Sequence, residues 1–429
     1  MPPTTCSPKD QSGCGSDAVC EEVDGGNPAC FAPVIVTGTI TDIATQKPIN
    51  GARLVALDST GLGFSIAATS NVDGSYHLSV PAKRDASGAP LPEQFSIRVD
   101  ADGYVPFAKA PRTAPTLDVK DAKGPPYVVQ SMATDIALLH LKNTMGFGSI
   151  SGAVSSDDPM GALVVAGGKT GVADRRGNYI VYDVAAGDTK VEAFKQGQSF
   201  DVNTATVTPY QEMKGVTLNA NMAPTVTVTG TLQITNPGST GTTSVDLVVE
   251  DTFDAMLNRG ETPPGFTAKN VGGDFSITGV PPGQYVVLPG LETDGLVRAP
   301  DTSVNGAPIV HITVGSTDVT APQKIKATGA MAVIGLGATG LDQATAMPMF
   351  SWQADPNADS YKVDVFDAFG TSVWSTTGMF SPGAGQPATL AYGGPQLQSG
   401  MIYQFRATSL KGGAPESATE DLTGAFLYQ

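Results

Sequence analysis

The sequence predicts an all-β protein: tandem Ig-like or transthyretin-like β-sandwiches behind a small disulfide-stapled N-terminal segment. Three observations point there. Fifty Gly and 32 Pro in 429 residues give a share of turn-formers well above the usual ~12%. From Pro33 onward, short alternating runs of β-branched residues are broken by Gly, Pro, Asn and Asp at the spacing of a sandwich. The same strand-and-turn grammar then recurs along the chain, as repeats do.

Composition sets the limits. A hydrophobic share of 41% is too high for a disordered chain, and 15% charged residues is low for a helical cytosolic enzyme. The net charge of −16 repels phosphate backbones and anionic lipid, so nucleic acid and membrane surfaces are poor partners. No apolar run reaches the ~18 residues of a membrane span.

All four cysteines, Cys6, Cys14, Cys20 and Cys30, lie in the first 32 residues. That segment is polar and Gly-rich and cannot build a core, so an even cysteine set reads as two disulfides stapling a cap. The three possible pairings stay open. Spacings of seven, five and nine residues contain no CxxC knuckle and no nearby His, which disfavours zinc. Disulfides place the chain in an oxidising compartment, secreted or at the cell surface. Residues 1–5 show neither a basic nor an apolar leader region. An export signal removed beforehand is expected, and an outer-membrane lipid anchor, if one exists, further upstream.

Three copies of one plan follow, at 33–144, 145–224 and 225–328. The first reads VIVTGTITD, KPINGARLVAL, SNVDGSYHLSV and FSIRVDADGYVPF; the second GSISGAV, GALVVAGG, TGVADRRGNYIVYDV and TKVEAFKQG; the third TVTVTGTLQI, SVDLVVED and KNVGGDFSITGVPPGQYVVLPG. Each opens on a strand with an internal glycine (Gly38, Gly152, Gly230), the mark of a bulge or close backbone approach. Each later has a glycine-containing turn running into an aromatic: Asp73-Gly74-Ser75-Tyr76, Arg176-Gly177-Asn178-Tyr179 and Gly273-Asp274-Phe275. The glycine supplies the turn, and the aromatic begins the return strand and drops into the core.

On these motifs the first copy closely resembles carboxypeptidase regulatory-like domains, seven-stranded transthyretin-like sandwiches akin to the Cna-B type. The second copy is shorter, and the third carries the insertion DTFDAMLNRGETPPG. The resemblance implies non-catalytic accessory or spacer modules on exported proteins. Cna-B relatives form isopeptide crosslinks from a lysine on the first strand; none of the three opening strands has one, so crosslinking is not expected.

Residues 329–429 change pattern. Trp352, the run Tyr361-x-Val-x-Val and Tyr403-x-Phe-x-Ala resemble a fibronectin type III-like sandwich, which makes Trp352 and Tyr403 core residues. Trp374 reads either as an edge-strand filler or as a stacking platform for a sugar. Gly335, Gly337 and Gly340 match GxGxxG, but Pro348 and a strand-like segment leave no helix to hold a pyrophosphate, so no nucleotide is expected.

Catalytic equipment is missing. His77, His140 and His311 have no HExxH or HxxE context, and His77 and His311 read as outward residues of alternating strands. No GxSxG elbow occurs. The turns Asp100-Ala101-Asp102-Gly103 and 355–359 lack the further oxygens of a calcium loop. The expectation is therefore no catalytic residue, no metal and no cofactor. The predicted role is a non-catalytic exported structural or adhesive protein: a surface spacer, scaffold or assembly subunit. Its expected partners are proteins, or itself, through sandwich edges. Two alternatives stand beside it. One is a carbohydrate-binding protein, requiring Trp374 with Tyr392 or Tyr182 exposed and coplanar; the other is an accessory subunit of an exported enzyme or secretion complex.

Overall fold

The computed structural model describes residues 6–8, 11–15, 18–237, 241–298, 308–378, 382 and 386–429; residues 1–5, on which the reading of an export signal was made, lie outside them. The chain is all-β, with three 3-10 turns as its helical content among the described residues (Val119–Asp121, Met132–Thr134 and Glu250–Thr252). It forms two compact units. One comprises residues 1–108, 114–193 and 201–220; the other 109–113, 194–200 and 221–429.

The three copies share one strand plan. In the first, Val34–Asp42 runs antiparallel to Ser75–Val80 and parallel to Val128–Val129 and Ile136–His140. A second sheet orders Ala68–Thr69, Arg53–Asp58, Gln94–Asp100 and Leu117–Asp118. The second copy sets Phe147–Ser155 between antiparallel Asn178–Ala185 and parallel Glu212–Asn221. The third sets Val226–Thr235 between antiparallel Asp274–Val280 and parallel Ile325–Gly329. In both of these the second sheet again has four strands.

The opening-strand glycines acquire a reason from this register. Gly38 lies opposite Tyr76, Gly152 opposite Tyr179 and Gly230 opposite Phe275. The tyrosine reaches past the glycine: Tyr76 Oη donates to the Thr134 carbonyl and Tyr179 Oη to the Val216 carbonyl, both at 2.8 Å. A Cβ at Gly38 or Gly152 would strike those same carbonyl groups, and one at Gly230 would meet the Phe275 ring. The missing side chain therefore lets the ring close over the backbone. Burial and alternation follow: along Val34–Asp42 the in-facing residues Val34, Val36 and Ile40 are fully buried.

Residues 342–428 form a six-stranded sheet, including Met401–Lys411, Ser360–Asp367 and Ser372–Gly378, and a two-stranded sheet of Met349–Trp352 with Ala388–Ala391. Trp352 and Tyr403 are buried, as expected. Trp352 packs edge-on to Tyr361, and Phe350 stacks on Phe405 with centroids 4.5 Å apart.

Candidate functional site

The cysteines pair as Cys6–Cys20 and Cys14–Cys30. Cys20 and Cys30 face each other across the hairpin Val19–Glu21/Ala29–Phe31, so each strand is tied to the preceding loop. Gln11 completes the wrap: its Oε1 accepts the Cys20 N–H and its Nε2 donates to the Cys20 carbonyl, both at 2.9 Å. With loops of 14 and 16 residues, each bridge removes about 3 kcal/mol of unfolded-chain entropy in the loop-closure picture. Cys6, Cys14 and Cys30 bring their sulfurs within 4.8 Å of one another, but these sulfurs are consumed in disulfides and are not thiolate ligands.

The cap is latched to the first sandwich by a buried ion pair between Glu21 and Arg84, 3% and 1% exposed. Arg84 also donates to the Ala32 carbonyl at 2.9 Å, and its guanidinium lies 5.1 Å from the Phe31 ring centroid and 5.3 Å from that of Tyr127. The Ala82 N–H donates to Glu21 Oε1 at 2.9 Å. Every strong group of the latch is thus hydrogen-bonded, the condition under which a buried charge pair is tolerated.

Within the first unit, the first two copies are joined by a second buried network. Arg98 Nε lies 2.9 Å from Asp100 Oδ2, and Arg98 Nη2 donates to Thr170 Oγ1 at 2.9 Å. Arg53 Nη2 donates to the Asn178 carbonyl at 2.8 Å, and the Gly103 N–H donates to Asp183 Oδ1 at 3.0 Å. Burial, then the neighbouring Asp102 charge, pushes Asp183 up to about 6.

Within the second unit, the third copy meets the C-terminal sheets around Asp421. Its Oδ2 accepts the Arg298 N–H at 3.0 Å, and its carbonyl accepts Arg259 Nη2 at 2.6 Å. The Gly295 N–H donates to Glu420 Oε1 at 2.5 Å, a further bond across the junction. None of these arginine joints was foreseen. The available signal was a cation inside an apolar strand run, Arg53 in RLVALD and Arg98 in QFSIRVD.

The remaining expectations resolve as follows. His77 and His311 point outward, but His311 has a partner the sequence did not indicate: Glu250 lies 2.8 Å from Nδ1. His140 is exposed, its Nδ1 2.6 Å from the Leu141 carbonyl oxygen. The carboxylates of the two acidic segments, 100–103 and 355–359, are engaged within the protein. Asp100 is held by Arg98, and Asp355 accepts the Asn357 N–H. Gly335, Gly337 and Gly340 lie in turns, not before a helix; Gly337 at φ 76° accepts the Gly424 N–H at 2.8 Å, so this motif seats a turn on the C-terminal sheet.

The sugar platform of the carbohydrate-binding alternative does not form. Tyr392 is buried at 6% exposure, Trp374 and Tyr182 are half-buried, and the Trp374 and Tyr392 rings meet edge to face at 67°. Trp374 and Tyr392 pack beside Phe350 within the C-terminal module instead of presenting a flat exposed surface.

No helix among the described residues is long and apolar enough to cross a membrane. No family model matches the sequence, and no curated protein matches it. Solved structures that align with it include the Bacillus anthracis TIE protein, at 11% identity over 91% of this chain and 72% of that one, TM-score 0.16. A variant of the shaft pilin SpaA from Lactobacillus rhamnosus GG aligns at 11% identity over 44% and 98%, TM-score 0.17. A tetra-tandem repeat from the extending region of a large adhesion protein aligns at 16% over 92% and 99%, TM-score 0.14.

Proposed function

We propose that the chain is an exported, non-catalytic structural or adhesive protein, a surface spacer, scaffold or subunit of an extracellular assembly. The observation that carries this reading is the pair of buried, hydrogen-bonded joints, one inside each compact unit: Arg98–Asp100–Thr170 in the first and Arg259–Asp421–Arg298 in the second. Modules meant to swivel are joined by exposed linkers with few crossing contacts. Buried polar joints fix two sandwiches in one relation, which suits holding and spacing.

In this reading the cap covers 1–32, the three regulatory-like sandwiches 33–144, 145–224 and 225–328, and the fibronectin-like end 329–429. The disulfides agree with an oxidising compartment. Protein partners, or a second copy, would add at sandwich edges. The edge strand Ser372–Gly378 has neither a charged residue nor proline to block such pairing.

Fractionation of the source cells tests the proposal. The chain is expected in the surface or secreted fraction with no titratable thiol. Recovery from the cytoplasm with four free thiols would refute it.

A further inference from the structure

We infer that the N-terminal cap is a redox-dependent strap: fastened by Cys6–Cys20, it holds the second copy against the first, and reduction of that bridge releases the hold. The cap and both copies belong to the first compact unit, and they meet at one turn of the second copy, Asp174–Gly177. Two bonds run from this turn to the first copy. The Arg175 N–H donates to the Ser65 carbonyl at 2.9 Å, and Asp174 Oδ2 accepts the Ala67 N–H at 3.2 Å. The Arg175 side chain goes to the cap instead. Its Nη2 donates to the Pro8 carbonyl, and its charge acts on Glu21. Glu21 is thus shared, between Arg84 of the first copy and Arg175 of the second.

The Cys6–Cys20 bridge is what keeps the Pro8 acceptor in place. Pro8 sits two residues after Cys6, in a polar stretch with no core of its own. Gln11 Nε2 donates to the Pro8 carbonyl and to the Cys20 carbonyl, both at 2.9 Å, so the oxygen that Arg175 uses is aimed from Cys20. Without the bridge, the chain ahead of Cys14 loses its covalent tie to Val19–Glu21. Its order then rests on hydrogen bonds alone, against the conformational freedom regained. Glu21 keeps Arg84 as a partner, so the release falls on the side of the second copy. A dithiol supplies the two electrons and two protons; it leaves as a disulfide, and Cys6 and Cys20 as thiols.

Hydrogen exchange in the full chain tests the strap at two amides that bond from the first copy to the second: Ala67 N–H to Asp174 and Gly103 N–H to Asp183. Arg175→Met keeps both disulfides and the Glu21–Arg84 pair. It should speed exchange at both amides by about tenfold, the size expected when a hydrogen bond from a charged donor is lost, while residues 19–31 stay protected. Dithiothreitol, or Cys6→Ala/Cys20→Ala, should give the same acceleration, and Arg175→Met should add little to either. Arg176→Gln, an exposed site in the same turn, should keep the parent rates. If the alanine variant also loses the hairpin, Arg175→Met decides alone. Unchanged exchange at Ala67 and Gly103 in Arg175→Met or in the reduced chain, or full additivity of the two changes, would overturn the inference.

Discussion

Replacing Arg98 by Met tests the first joint most directly. The guanidinium makes three contacts of 2.9–3.1 Å with Asp100 and donates to Thr170 Oγ1 at 2.9 Å. Its side chain is 9% exposed and that of Asp100 3%. Methionine fills most of the volume of the stem, so the cost is mainly electrostatic: Asp100 stays buried with its cation removed. Breaking a buried pair from one side costs about 3–5 kcal/mol. Removing both partners in Arg98→Met/Asp100→Leu strands neither member of the pair and leaves Asp174 facing the neighbouring buried Arg53, so the double variant should recover part of that loss. Urea denaturation of the first unit's transition in the full chain measures all three species. A further readout is proteolysis in the 141–146 connection, which should accelerate in the single variant if the joint holds the copies together. A loss under about 1 kcal/mol, or a double variant as unstable as the single one, would refute the account, because a pair of that worth belongs to exposed ions.

Three further outcomes are expected. Tyr179→Phe strands the Val216 carbonyl inside the second copy and should cost about 1–3 kcal/mol by denaturant melting, whereas Phe275→Tyr in the third copy should bring no gain of that size. Reducing both disulfides should raise hydrogen exchange across residues 19–31 and lower the thermal midpoint; unchanged exchange would show that the Glu21–Arg84 latch holds the cap alone. In pH titrations Asp183 and the turn carboxylates act in opposite senses. The folded state holds the Asp183 proton up to about pH 6, so that contribution is full below the unfolded value near 4 and is lost as pH rises through 6, on the order of 2 kcal/mol. Asp73 and Asp85 are held low by the Ser75 and Ser87 side chains and then by backbone amides; their contribution is present above about 4 and lost as pH falls. The first unit should therefore be most stable between about pH 4 and 6, and Asp183→Asn should flatten the alkaline side of the profile.

What could be read from the chain was whatever short-range chemistry enforces. Gly74 and Gly177, both at positive φ, announce their turns, and period-two alternation announces which residues of Val34–Asp42 face inward. The topology needed more, because the parallel partner of each opening strand lies far along the chain: Ile136 pairs with Ile40, and Leu218 with Val154. The cysteine pairing was illegible for a different reason. With no core to favour one connectivity, the choice rests on contacts such as the Gln11 amide on Cys20, which no spacing rule encodes.

The joints show the deepest limit. Arg98 and Asp100, two residues apart on one strand, look like a surface pair followed by an acidic turn. Their worth depends on Thr170, 72 residues on, closing over them and excluding water. The local sequence Arg-x-Asp is identical for an exposed pair worth little and a buried pair worth several times more; only the covering module distinguishes them. On the proposed reading, a protein that holds modules in fixed relation keeps its functional residues in such covered pairs. Sequence reading tuned to catalytic motifs passes over them, and on this reading mutagenesis at the joints is the test of function.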